Sequence, residues 1–140
     1  MAYTRPPFQR TICACPGEVK NCQTMPGYLG PDDVERIAEY LQLTPDDVCR
    51  DYLEEGKGAI VAHSGTGEQW KIRTLRPKLL VNGCIFLTEE RRCRIHPVAP
   101  FGCAYFDVHQ TAWKAMKRSL WALRLIVSDR TYQRHLDEVE

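Results

Sequence analysis

Six of the seven cysteines in this chain fall into two groups, and that division constrains the fold more than any other feature. Cys13, Cys15 and Cys22 stand near the N-terminus. Cys84, Cys93 and Cys103 stand in the stretch NGCIFLTEERRCRIHPVAPFGC. Between the groups lies an ordinary globular sequence with a single cysteine, Cys49. Thiolates that share one metal ion or cluster must converge on it from several directions, and two separated groups joined by a folded insert allow that. The pattern points to a metal centre.

Composition narrows the setting. At 140 residues and 16.1 kDa the chain is long enough for one domain with a real core, and too short for two. A hydrophobic share of 44% and a charged share of 26% are those of a soluble globular protein. The net charge of +1 offers no bulk attraction to nucleic acid or membrane, so neither is an expected partner. No apolar run approaches the ~20 residues of a transmembrane helix. The start, MAYTRPPFQRT, lacks the apolar core of a signal peptide. The expected location is the cytoplasm, where thiols stay reduced and cysteines serve as ligands before they serve as disulfides. An odd cysteine count agrees.

Along the chain, residues 1–12 read as an extended arm, since Arg5-Pro6-Pro7 cannot comfortably start a helix. A cysteine-cluster domain follows over 13–107, and a C-terminal helix packed on it over 108–140. Gly30-Pro31-Asp32-Asp33 opens a helix, with proline at its first position and Val34, Ile37, Ala38 and Leu41 on its apolar face. Thr44-Pro45-Asp46-Asp47 is a second start signal, with cap, proline and acid in register, and Gly56 and Gly58 end that helix. AIVAHSGTGEQWKIRTL reads as a hairpin about Ser64-Gly65-Thr66-Gly67, broken by Pro77. From about Asp107 the pattern is helical, in one long helix from about His109 to His135. Trp113, Met116, Leu120, Leu123 and Val127 form its stripe, widened by Trp121, Leu125 and Ile126. The fold class is α+β: a small, mainly helical domain with a short hairpin and Cys-rich loops around a metal centre.

Cys13-x-Cys15 is too closely spaced for a comfortable disulfide, but two thiolates there can meet one metal or bridge two. Cys22 can return to the same point. In the second group, separations of nine and ten residues let short turns bring the thiolates back together. Four of the six satisfy a tetrahedral zinc or a four-iron cluster, and all six suit a polynuclear centre. His96, three residues past Cys93, offers an imidazole. Cys49 sits within a helix beside Val48 and Leu53 and reads as a small buried hydrophobe rather than a ligand. His63 and His109 read as surface or satisfied core, and Lys114, Lys117, Arg118 and Arg124 as a solvated helix face. No phosphate loop, Ser/His/Asp arrangement or paired-acid constellation is present, so no catalytic residue is assigned.

The stretch from Asn82 to Asp107 resembles the YkgJ-type cysteine-cluster family of zinc- or iron-chelating domains. Gly83-Cys84-Ile85-Phe86-Leu87, Cys93-Arg94-Ile95-His96 and Pro100-Phe101-Gly102-Cys103 carry the likeness, with Phe106 beyond. The helix PDDVERIAEYLQL and its successor are similar to that family's insert, so the likeness spans roughly Cys13 to Asp107. The chain departs from the family where an adjacent cysteine pair is usual, and at His96 and Ala99. The resemblance implies chelation. It leads to the expectation of an iron–sulfur or zinc protein acting as an accessory, electron-transfer or assembly component. The alternatives are a cluster-dependent redox or methyl-transfer enzyme, or a protein in which zinc only staples loops. Trp113 and Met116 are expected to shield the centre. The second half of the long helix is expected either to meet a protein partner or a second subunit, rimmed by Arg124, Arg130 and Arg134, or to be internal core along its whole stripe.

Overall fold

Asp32 turns the chain into its first helix through a left-handed backbone (φ 66°), a conformation that aspartate tolerates better than most residues. Helix α1 (Asp33–Leu41) therefore begins two residues later than Pro31 suggests. It buries Val34, Ile37 and Ala38, the face that the spacing predicts. Helix α2 (Pro45–Tyr52) starts as its cap dictates. The Thr44 hydroxyl accepts the Asp47 N–H at 3.1 Å, and Pro45 occupies the first turn. The computed structural model describes residues 5–10, 26–62, 65–106 and 110–139.

Helix α2 does not run on to Gly56. At Leu53 the backbone turns extended (φ −117°, ψ 156°) and enters β1 (Leu53–Glu55). The expected hairpin is β2 (Ala59–Ala62) against β3 (Gln69–Ile72), with Ala59 opposite Ile72 and Ala62 opposite Gln69. Pro77 does not end the extended region but lies within β4 (Leu75–Pro77), which pairs with β1. In a two-stranded sheet each strand is an edge, so a residue without an N–H is tolerated there. A third antiparallel pair, β5 (Leu79–Leu80) with β6 (Gly83–Cys84), turns at Gly83, whose φ of 121° suits glycine.

A 3₁₀ turn (His96–Val98) and the short α3 (Phe101–Ala104) lead to the C-terminal helices. The single long helix expected there is two: α4 (Ala112–Ser128) and α5 (Arg130–Glu138). Asp129 separates them by leaving the helical region (φ −87°, ψ 102°) and capping α5, its carboxylate accepting the Tyr132 N–H at 3.1 Å. Helix α4 is ~26 Å long, and α5 folds back onto α2.

The inward face of α4 is Ala122, Leu123 and Ile126; of the row beginning at Trp113 only Leu123 is buried. Trp113 is 61% exposed, Met116 47% and Val127 58%, so Trp113 and Met116 face solvent and do not shield a centre. The second half of the C-terminal region supplies Leu123, Ile126, Tyr132 and Leu136 to the core, while Arg124 and Val127 stay exposed. There they meet Leu29, Ile37, Val48, Leu53, Leu75 and, from the second cysteine loop, Phe86 and Ile95. A smaller cluster forms around Phe101, Ala104, Tyr105 and Ala122. Among the described residues no helix is long and apolar enough to cross a membrane.

Candidate metal centre

The second cysteine group is built on a tight loop. Cys84 ends β6 opposite Leu79, and its carbonyl accepts the Leu87 N–H at 2.9 Å. Leu87 then faces Cys93 across an isolated antiparallel bridge, and the Arg94 N–H donates to the Phe86 carbonyl at 2.7 Å. The nine-residue separation thus closes as a miniature hairpin that holds Cys84 and Cys93 in one loop. Phe86 and Ile95 root the loop in the core. The Phe86 ring stacks on Tyr52 with centroids 5.2 Å apart, and the Arg94 guanidinium lies 5.8 Å from the centre of the Tyr52 ring.

Beyond Cys93 the chain tightens into the 3₁₀ turn, with the His96 N–H on the Cys93 carbonyl at 3.2 Å. The His96 side chain is exposed. Cys103 sits on α3, its N–H donating to the Pro100 carbonyl at 2.8 Å. Cys84, Cys93 and Cys103 are each partly buried; the first two pack against the main core and Cys103 against the Phe101 cluster. Among the described residues these three do not by themselves bring their sulfurs together as a ligand trio.

Helix α3 is held by a carboxylate from across the sequence. Asp33 Oδ2 accepts the N–H groups of Phe101 and Gly30, both at 2.7 Å, while Oδ1 accepts from Arg36 at 2.9 Å. Burial pushes this carboxyl up to about 6, against the two backbone donors and Arg36.

Cys13, Cys15 and Cys22 lie outside the described residues, as do His63 and His109. The chain on either side of the first group is described, and both flanks meet the second group. On the N-terminal side, Arg10 Nη2 donates to the His96 carbonyl at 2.8 Å, and Nη1 approaches the Pro97 carbonyl at 3.5 Å. The same arm is secured by Phe8, edge-on to Trp121, and by Arg118, which donates to the Gln9 and Tyr105 carbonyls. On the C-terminal side, Gly27 lies flat against α3. A Cβ at Gly27 would fall 2.5 Å from the Cys103 nitrogen, and one at Gly102 would fall 2.5 Å from the Tyr28 nitrogen. The Gly102 N–H donates to the Tyr28 carbonyl at 2.8 Å. Two facing glycines make this backbone-on-backbone contact possible.

Cys49 is 1% exposed, in the core as its helix position suggests. What the sequence did not disclose is its neighbour. His135, 1% exposed on α5, places Nε2 at 3.2 Å from Glu35 and Nδ1 at 3.3 Å from Glu138. Ligand atoms of Cys49, His135 and Glu138 all lie within 4.8 Å of one another. The hydrogen bond to Cys49, then that to Glu35, pushes the imidazole up to about 10. That shift favours the protonated ring, whose two nitrogens face the carboxylates of Glu35 and Glu138. With Glu35 the trio forms a polar latch joining α1, α2 and α5. A histidine three residues after Tyr132 on an amphipathic helix was the available signal; its partner Glu35, a hundred residues earlier, was not readable from spacing.

No family model, curated protein or solved structure matches this chain.

Proposed function

We propose that this chain carries a metal centre, an iron–sulfur cluster or zinc, held by cysteines of both groups: Cys13, Cys15 and Cys22 with Cys84, Cys93 and Cys103. The observation that carries the reading is the double fastening of the first group's flanks. Arg10 bonds to the turn after Cys93, and Gly27 packs on the backbone of Cys103. With both described flanks fastened to the second group, a centre shared by the two groups is favoured over two separate ones. The hairpin that gathers Cys84 and Cys93 adds to this support, as does the likeness of residues 82–107 to the YkgJ-type chelating domains.

Bound there, an iron–sulfur cluster would supply electron transfer, whereas zinc would supply a tetrahedral staple. The chain's own contribution is to gather and position the thiolates: the Asp33 carboxylate and the facing glycines fix Cys103, and the Tyr52–Phe86 stack fixes the loop of Cys84 and Cys93. The protein serves as an accessory, electron-transfer or assembly component in the cytoplasm, working with a protein partner. Anaerobically purified protein provides the test. Absorption near ~400 nm with bound iron identifies a cluster, and a colourless protein that yields zinc to a chelator identifies zinc. Cys84→Ser and Cys93→Ser should each lower the metal content. A wild-type protein with no stoichiometric metal of either kind would sink the proposal.

A further inference from the structure

Helix α4, AWKAMKRSLWALRLIVS, carries four cations and no carboxylate in a chain whose net charge is only +1. Arg118 is occupied by the carbonyls of Gln9 and Tyr105 on the inner side. The outer side presents Trp113, Met116 and Val127, exposed by about half or more, with Lys117 and Arg124 among them at helical spacing. The Lys117 ammonium lies 5.0 Å from the centre of the Trp113 ring. From Trp113 to Val127 this face runs ~21 Å. At Val127 it opens into a groove of about 510 Å³ between the end of α4 and the β2–β3 hairpin, lined also by Trp70 and Lys71. Arg73, at the groove's wall, is offset by Glu55 at 2.7 Å and Asp137 at 3.7 Å.

We propose that an acidic, amphipathic segment of a partner protein docks on the outer face of α4 and into this groove. Charge decides the sign of the partner: basic side chains rim apolar ones, and no acid on the helix competes for them. Shape favours a protein segment over a bilayer, because a concave groove accepts side chains whereas a flat surface leaves it empty. A second copy is disfavoured by symmetry. A two-fold contact through this face would oppose Lys117 and Arg124 to themselves. The opposite side of α4 packs on α3, with Trp121 and Phe101 ring centres 5.7 Å apart. A docked partner would therefore lie about one helix diameter, ~10 Å, from the helix that bears Cys103. The partner's purpose rests on the metal-centre reading; the surface itself does not.

The test uses a synthetic helical peptide with glutamates along one face and leucines along the other, titrated against the full-length protein. Saturable binding that weakens with salt is expected. It should fall at least tenfold in Trp113→Ala and in the Lys117→Glu/Arg124→Glu double variant, and the double variant should instead take the same peptide built with lysine. Circular dichroism and metal content of the variants should match wild type. Equal binding by wild type and variants would overturn the proposal. So would binding to phosphatidylserine-containing vesicles without peptide binding, or a wild-type dimer lost on Trp113→Ala. If the wild type proves metal-free yet binds the peptide as expected, the metal-centre reading fails and the docking surface stands.

Discussion

The carboxylate of Asp33 accepts the backbone N–H of Phe101 at 2.7 Å across 68 residues of sequence, tying the start of α1 to the helix that carries Cys103. The same oxygen accepts from Gly30, so both donors are buried and satisfied by one atom. Asp33→Ala would leave two N–H groups without an acceptor, at a cost of about 2–5 kcal/mol. Denaturant unfolding should show that loss, and metal content should fall with it.

Asp33 also gives stability a pH dependence. Its carboxyl is raised from 3.8 unfolded to about 6 folded, chiefly by burial. Between those values the native state binds the extra proton, so this contribution is full below 3.8 and is lost as pH rises through 6. Asp33→Asn, which cannot ionise, should lack that slope. Unfolding free energies at pH 4 and pH 7 should show wild type losing on the order of 2–3 kcal/mol relative to the variant. Parallel curves would refute the assignment.

His135 slopes stability in a higher window. Its imidazole is raised from 6.5 to about 10, first by Cys49 and then by Glu35, so its contribution is complete below 6.5 and disappears as pH climbs through 10. Glu35, held below its ordinary value by His135, contributes above 4.5 and fails in acid. The latch is therefore strongest between about pH 4.5 and 6.5. Melting temperature should decline from pH 6.5 to 10 in wild type and stay flatter in His135→Gln.

Tyr132 completes the clamp on the core. Its hydroxyl donates to the Leu29 carbonyl at 2.6 Å and accepts the Leu75 N–H at 2.9 Å, and burial drives its phenol far above the ordinary value. Tyr132→Phe keeps the ring but strands one donor and one acceptor, a loss of about 2–4 kcal/mol. Calorimetry would register it as a lower melting temperature with the fold retained.

What the sequence disclosed was local. Thr44 capped its helix, the β2–β3 hairpin paired where alternation placed it, and Cys49 lay in the core, because each depends on neighbours within a few residues. The misreadings came from tertiary choices. The apolar residues of α4 wrap widely enough that several faces compete; Ala122 joined the Phe101 cluster and Leu123 and Ile126 the main core, leaving Trp113 and Met116 exposed. The break at Asp129 did carry a signal, an aspartate cap after Ser128, which the continuous hydrophobic period masked. The spacing of the second cysteine group suggested turns that return its thiolates to one place; the backbone closes a bridge between Leu87 and Cys93, while Cys103 sits apart on α3. Nothing in the spacing announced that Arg10 would bond to the His96 carbonyl or that Gly27 would face Gly102.

Cys49 separates packing from ligation. Its thiol belongs to the latch with His135 and is buried among core residues. Cys49→Ala should lower stability by about 1 kcal/mol or more, through lost packing and a weakened hydrogen bond, and leave metal content unchanged. Equal metal loss in Cys49→Ala and Cys84→Ser would show that the latch is a ligand site after all.

Gly27 offers the sharpest test of whether the two cysteine groups share one centre, because it carries no ligand. A methyl group there would collide with the backbone of Gly102 and Cys103, where no flexible side chain can give way. Gly27→Ala should push the chain off α3 while removing none of the six cysteines. If one centre draws on both groups, metal content should drop to the level of Cys103→Ser, even where circular dichroism shows the helices intact. Arg10→Ala, which releases the other flank without a collision, should give a smaller loss, and the double variant a larger one. Full metal occupancy in Gly27→Ala, with the variant folded, would mean that each cysteine group works alone.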